Sequence, residues 1–409
     1  MKKWNLFFIL FPIFLGSCHS SPKTATITDD IIYIDISKDY PSKELSFGTG
    51  SMLDYEYVPI ETSDDVLLDG SAQIHHVSDK YVVIIEPIRG NIFIFDRKGN
   101  IVSHFNHKGQ GPQEYAVINS MVFDEKAEEI FVLISYHHRI MVYSITGQYI
   151  RTINPENILS DVYNFDDENF LVYDTENLHE DNYSKNPYMF VSKKDGSITS
   201  VLNIHLPVRY DPRVFEQVTV NGENLITAHH FFIKNKRYDG DNFLIGDISS
   251  DTIYMLTKNK ELKPFIVRTP SVHSTDPHLV CTHIRKTDNY ILLFITTLDY
   301  NGALQGRAQN WKYLMYEFET HEVYTLSNPP LGNSYNDHYL QGNIDVRFFP
   351  PYALKAAISK FQKEFEQLVA KGIDEKDKKR LEDMLQIIEN VTIDPNDELN
   401  PWVFITHLK

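Results

Sequence analysis

The stretch His107-Lys-Gly-Gln-Gly-Pro-Gln-Glu-Tyr115 sets a lysine, a glutamate, two glycines and a proline within nine residues, types that suggest a phosphate cradle. Such a cradle needs a Gly-rich loop that opens a helix and ends in Gly-Lys-Ser/Thr, so that backbone N–H groups and the lysine meet the anion. Here Lys108 precedes the glycines, Pro112 follows Gly111, and a strand-like run comes next. The stretch therefore reads as punctuation between repeating units. Gly109 and Gly111 allow backbone angles that other residues avoid, Pro112 fixes one more, and Tyr115 can anchor the loop. Lys108 and Glu114 remain candidates at the mouth of whatever the units build.

Carboxylates are the next chemical resource. Glycoside hydrolysis needs two of them roughly 5 to 9 Å apart, and Glu86, Glu114, Asp211, Asp241 and Asp337 all fall in loops. Histidines are numerous, 17 in all, with His137-His138, His229-His230 and His338 in or beside long loops. Adjacent histidines on a strand point to opposite faces, and no histidine pair has metal-ligand spacing beside a carboxylate. Asp239-Gly-Asp-Asn242 has closely spaced oxygens without the full calcium-loop pattern, and reads as a turn. No cofactor is expected; calcium in a central channel is the one metal with a place. Arg89, Arg139, Arg209, Arg213, Lys234, Arg237 and Arg307 share the loops and could pair with an anionic glycan or peptide, but nearby acids cancel them. No nucleophile elbow, zincin helix or dinucleotide fingerprint is present. The ligand-binding candidates are Glu86, Arg89, Glu114, His137, His138, Arg139, Arg209, Arg237 and His338.

These residues must be positioned by strands. Aromatic residues make up 13% of the chain, and short β-branched runs recur throughout. Gly99, Gly147 and Gly196, in NIFIFDRKGNIVSHF, RIMVYSITGQYIRTI and YMFVSKKDGSITSVL, are 48 and 49 residues apart, each in a turn between alternating strands. DTIYMLTKNKELKPFIV (251–267) and KYLMYEFETHEVYTL (312–326) are looser copies. A period of that size with four strands per unit is the pattern of propeller blades. Five units lie between Ile74 and Leu326, and the remainder supplies a sixth. The expected fold is all-β: a six-bladed β-propeller of four-stranded antiparallel blades over residues 31–409, closed by an N-terminal strand in the last blade. Residues 352–390 depart from this. Leu354, Ile358, Phe361, Phe365 and Leu368 share one helical face, Gly372 ends that helix, and Asp374 can cap a second. This helical hairpin is inserted in the final blade, where it is expected to cover an edge or the bottom of the ring.

The ends of the chain speak to compartment. Lys2 and Lys3, an apolar run from Leu6 to Leu15, and Leu15-Gly-Ser-Cys18 make a secretory signal over residues 1–17, too short to span a bilayer. Cys18 follows a lipobox-like triplet, so acylation there and a polar tether over residues 18–30 are expected. The net charge is −17, more negative once Lys2 and Lys3 are removed, which argues against nucleic acid and anionic membrane surfaces as partners. Cys281 alone then remains, read as a buried small hydrophobe.

With that lipobox, YVPIETSDD (57–65), IFIFDRKGN (92–100), GQGPQEY (109–115) and NPWVFITHLK (400–409) resemble the TolB-like six-bladed β-propeller lipoproteins of Gram-negative gut-type anaerobes. The resemblance covers essentially the whole mature chain. That family usually carries Gly-Glu-Tyr where Gln113-Glu114-Tyr115 stands, a departure that touches the turn. The resemblance implies a fold and a compartment, that of an outer-membrane lipoprotein, and no established chemistry. Within the tether, acids appear only at Asp29-Asp30, some distance from Cys18, so no surface-export tag is evident and the periplasmic side is favoured over the cell surface.

Strand order adds one inference. Neighbouring strands alternate in direction, so the second-to-third loop of a blade and the fourth-to-first loop between blades leave from one end of the ring. HKGQGPQEY, Glu86–Gly90, Tyr136–Arg139 and the long loops near 177–187, 205–214, 231–250, 299–310 and 328–339 share that end. A non-enzymatic binding or scaffold role through this face is expected, with a protein or glycan as ligand and the chain as a monomer. The alternative is a glycan- or lactone-directed hydrolase or lyase at the propeller mouth.

Overall fold

Tyr81–Glu86 and Asn169–Asp174 are buried at every position, as expected of strands covered on both faces rather than on one. Such strands need a sheet on either side, and a ring of sheets supplies it. The computed structural model describes residues 26–28, 30–44, 54–134, 138–156, 159–174, 185–211, 213–220, 223–230, 238–239, 242–305, 310–327, 338–341, 343–349, 351–390 and 400–407.

Four N-terminal strands come first: Thr26–Thr28 (β1), Ile31–Asp35 (β2), Ser42–Lys43 (β3) and Tyr55–Val58 (β4). Blade I is Gln73–Val77 (β5), Tyr81–Glu86 (β6), Asn91–Asp96 (β7) and Ile101–Asn106 (β8). Blade II is Ser120–Asp124 (β9), Glu129–Ile134 (β10), Arg139–Ser144 (β11) and Tyr149–Ile153 (β12). Blade III is Leu159–Asn164 (β13), Asn169–Asp174 (β14), Tyr188–Ser192 (β15) and Ile198–Val201 (β16). A separate hairpin follows, Arg213–Val220 (β17) and Glu223–His230 (β18), paired only to itself among the described residues. Blade IV is Tyr238–Asp239 (β19), Asn242–Gly246 (β20), Thr252–Thr257 (β21) and Leu262–Thr269 (β22). Blade V is His278–Lys286 (β23), Tyr290–Leu298 (β24), Lys312–Glu317 (β25) and Val323–Leu326 (β26), with the short helix Tyr300–Leu304 (α1) between β24 and β25. Blade VI is His338–Gln341 (β27), Ile344–Phe349 (β28), Trp402–His407 (β29) and, from the other end of the chain, β4.

Consecutive blades pack face to face through aliphatic and aromatic side chains. Val83, Ile92 and Ile94 of blade I meet Met121, Ile130 and Val132 of blade II, and Leu244, Ile253 and Ile266 of blade IV meet Ile291, Leu293 and Leu314 of blade V. The ring closes where Val58, Val346, Val403 and Ile405 pack on Val82, Ile84, Phe93 and Phe95. Burying one such side chain contributes about 1.5–3 kcal/mol, so closure rests on this contact as well as on the β4–β29 ladder.

The N-terminal segment does more than close the ring. β2 pairs in parallel with β22 and carries β1 outside it, while β3 pairs in parallel with β26. The chain thus straps the outer edges of blades IV and V before completing blade VI. Thr26–Thr28, inside the stretch expected to be tether, is strand because β2 offers it an edge.

Pro351–Lys371 (α2) and Glu375–Asn390 (α3) form the expected hairpin, with Gly372 at φ 82° ending α2 and the Asp374 carboxylate accepting from Asp377 N at 2.8 Å. It connects β28 to β29, the second and third strands of its blade, so it leaves from the long-loop end rather than the bottom of the ring. Phe361, Leu381 and Leu385 bury against Trp402, Phe349 and Tyr57, the last on outermost strand β4, so it covers an edge as expected.

Candidate binding face

The HKGQGPQEY loop joins β8 to β9 and is built inward. Tyr115 is fully buried; its hydroxyl donates to Gly90 O at 2.7 Å and accepts from His107 N at 3.2 Å. Burial pushes its phenol up to about 12. His107 stacks on Tyr143 at 4.9 Å and bonds Gly147 O through Nε2 at 2.6 Å, and Tyr143 donates to Gln113 O. The loop is therefore a clasp between blades I and II, as its residue types suggest. One expectation is corrected: Gly90 takes the positive φ, 83°, whereas Gly109 and Gly111 do not. Gly109 is needed for room, since a Cβ there would lie 1.9 Å from Glu114 Oε2.

That contact also redefines Glu114, whose carboxylate folds back to accept from Gly111 N at 2.8 Å. Glu86 is 0% exposed; its two oxygens accept from Asp69 N and Asn91 Nδ2. Placed in a loop by sequence, it is instead the last residue of β6, where a buried carboxylate needs such donors. Each carboxylate thus serves its own loop. Arg89 is exposed and paired with Asp69 at 2.5 Å. Lys108 donates to Ile88 O. Arg209, expected in an open loop, is buried, donates to Asp174 O at 2.6 Å and lies over the Tyr173 ring at 4.8 Å. His138, at φ 48°, leads half-buried into Arg139, the first residue of β11. His338 opens β27, the innermost strand of blade VI. Asp239 and Asn242 are paired positions of the antiparallel strands β19 and β20. Cys18, His137 and Arg237 lie outside the described residues. Cys281, inside β23, is buried, and burial raises its thiol to about 12.

The structure assembles a different group, from blades III, IV and V. Tyr188 donates to Asp247 Oδ2 at 2.8 Å; Asp247 Oδ1 accepts from Ser249 N at 2.8 Å; Ser249 Oγ accepts from Tyr210 N at 2.9 Å. The Tyr188 phenol is held well above its ordinary range by burial and then by the Asp247 charge. Tyr210 Oη meets His273 Nδ1 at 3.0 Å, and its ring lies 4.3 Å from that of His278, which donates through Nδ1 to Val272 O. Tyr300 Oη donates to Asp211 O at 2.9 Å, fixing α1 to the same crossing. Tyr210 and Tyr300 pack on the blade V core with Phe294, whose ring also meets those of Tyr313 at 5.3 Å and Trp311 at 6.1 Å. The long loops of these blades were legible in sequence. The tyrosines and histidines that converge there were not, because nothing local distinguishes them from core aromatics.

Exposure separates the two ends of the ring. Among the described residues, six of the eleven exposed large apolar residues, Leu67, Ile88, Val208, Leu304, Trp311 and Val369, lie on second-to-third or fourth-to-first connections. The other five, Tyr33, Val102, Ile150, Ile198 and Val201, lie on outer strands β2, β8, β12 and β16. None of those exposed residues lies on the short turns of the opposite end. Ile88 is 69% and Trp311 55% exposed.

Among the described residues, no group of three or more His, Cys, Asp or Glu could hold a metal ion, and no helix is long and apolar enough to cross a membrane. The family described as a domain of unknown function, DUF4934, matches residues 32–407. The chain belongs to that family. Its DUF4934 domain therefore begins inside β2 and ends with β29, so the strap along blades IV and V is part of the domain. No curated protein matches the chain. Among solved structures, a Bacteroides fragilis protein assigned as exported is 15% identical at a TM-score of 0.51, over 92% of this chain and 99% of its own. At that identity the likeness is one of fold. A DUF4221-family member from Bacteroides vulgatus is 10% identical with a TM-score of 0.40, covering 66% of this chain and 86% of its own. Virginiamycin B lyase from Staphylococcus aureus is 9% identical with a TM-score of 0.34, covering 71% and 94%. These two are too distant to inform the chemistry of the DUF4934 ring.

Proposed function

We propose that this DUF4934 propeller is a non-enzymatic binding protein of the cell envelope, acylated at Cys18 as an outer-membrane lipoprotein on the periplasmic side, and that its long-loop end docks a protein. The observation that carries this reading is the confinement of exposed apolar connections to one end of the ring. Tyr210 and Tyr300 pack on the blade V core, Trp311 packs on its Phe294, and the exposed Val208 and Leu304 stand close to them in the chain; these five make up the proposed docking patch, set on the Tyr188–Asp247–Ser249–Tyr210 network. A rigid platform loses little side-chain freedom on docking. Sugars stack on flat aromatic rings, whereas five of the six exposed residues on these connections are aliphatic, which favours a protein partner over a glycan. The buried Glu86 and the inward-turned Glu114 support binding over hydrolysis, since both carboxylates brace the scaffold.

The test is capture from solubilised envelopes by purified protein. Trp311→Ala and Val208→Asp should each weaken capture about 30-fold, the effect of losing about 2 kcal/mol at a central contact, with unchanged melting temperature. Val102→Asp on outer strand β8 should leave capture intact. Equal capture by all three variants would contradict the reading, as would turnover of a glycan or lactone that is lost in Glu114→Gln.

A further inference from the structure

The strap fixes where an N-terminal anchor must attach. β1 is the outermost strand of the blade IV sheet, in the order β1-β2-β22-β21-β20-β19, with Thr26 opposite Tyr33 and Tyr33 opposite Val267. β2 is parallel to β22 and β1 is antiparallel to β2, so the chain enters β1 from the end at which β22 passes into the connection bearing His273 and His278. Cys18 is eight residues before Thr26. At full extension eight residues reach about 29 Å at most, whatever their conformation.

β2 is not readily pulled free. Ile32, Ile34 and Ile36 bury into the interface of blades IV and V, and β2 is hydrogen-bonded along both edges. The anchor point is therefore one place on the rim of a rigid ring, and blade I is diametrically opposite it. The Val208–Trp311 patch belongs to the sector of blades III, IV and V that surrounds that place.

Resting on the acylation of Cys18 proposed above, we infer that the ring is held to the bilayer by the rim of blade IV, with blade I turned away from the lipid and the patch kept close to the membrane. The partner is then a protein that is itself at the membrane. A ring swinging on a long leader would impose no such restriction.

The experiment uses the full lipidated chain in liposomes, with a donor dye on Tyr33→Cys or Val102→Cys and acceptor-labelled lipid in the bilayer. Cys281 is buried with its thiol raised to about 12, so the dye goes to the introduced cysteine. Transfer from position 33 should be at least twice that from position 102, and a Gly/Ser insert of about 30 residues before Thr26 should bring the two together. Equal transfer in the natural-length chain, or stronger transfer from position 102, overturns the orientation while leaving the anchor standing. Protein that does not sediment with liposomes, and whose Cys18→Ser variant behaves identically, overturns the anchor and this inference with it.

Discussion

Gly147 sits at φ 82° in the β11–β12 turn, and a Cβ there would lie 2.5 Å from the Phe105 ring at the end of β8. Gly99 and Gly196 repeat the arrangement against Pro59 at the end of β4 and against Ile153 and Pro155 at the end of β12. Each turn thus packs on the last strand of the preceding blade, and each needs both a left-handed backbone and an empty Cβ position. Gly147→Ala should lower stability by about 2 kcal/mol or more in thermal or denaturant melts, whereas Gly70→Ala, with nothing within 4 Å, should change little. Tyr115→Phe should cost about 1–3 kcal/mol, since a buried carbonyl and N–H lose the shared hydroxyl. The glycine period was legible in sequence because only glycine meets both demands. The later units read loosely because Lys260 and His321 take the same conformation, at φ 64° and 59°, with side chains that have other uses. Lys260 pairs with Asp166 and covers the Phe190 ring of blade III, an inter-blade tie that glycine could not make.

At the scale of elements, the strand character of IIYIDI (31–36) and DYEYVPIE (54–61), which hold β2 and β4, was legible in their β-branched and aromatic residues. Their partners were not, since a period of two assigns a face and says nothing about which edge a strand joins. β2 joins blade IV in parallel, so Ile34→Ala should cost about 3 kcal/mol by opening a cavity between blades IV and V. The same limit concealed the β17–β18 hairpin, which lengthens the interval between corresponding turns after blade III. The closing strand has a pH-sensitive latch. Burial pushes the Glu56 carboxyl up, but the His407 hydrogen bond and the Arg97 charge outweigh it, and the pKa falls below 4.5. A depressed carboxylate contributes stability above its unfolded pKa and loses it as pH falls through the folded one. The latch should therefore hold at neutral pH and fail below about pH 4.5, and Glu56→Gln should remove about 1 kcal/mol at pH 7 while flattening the acid limb. An acid limb unchanged by that substitution would place the acid sensitivity elsewhere.

At the scale of the whole molecule, six sheets close a ring whose two ends differ. One end is made of short turns bound blade to blade by pairs such as Lys193–Asp124, Lys260–Asp166 and Arg97–Glu56. The other carries the long connections, the helical hairpin and the six exposed apolar residues that lie outside the outer strands. That the long connections gather at one end was legible from strand order and loop length alone. Which side chains are free at that end was not: Glu86, Glu114 and Arg209 were drawn from the loops for their charge, and each is held by the scaffold. The patch depends on tyrosines from separate blades that the fold brings together. Site-specific photocrosslinking in living cells tests the central claim most directly, with the photoreactive residue placed in turn at Val208, Leu304 and Trp311 and at Lys98, Lys126 and Lys194 on the short turns. A discrete protein adduct from the first three positions, lost when Tyr210 is changed to Ala, and none from the last three is the predicted result. Adducts of equal yield from both ends, or from the short turns alone, would contradict a docking face at the long-loop end.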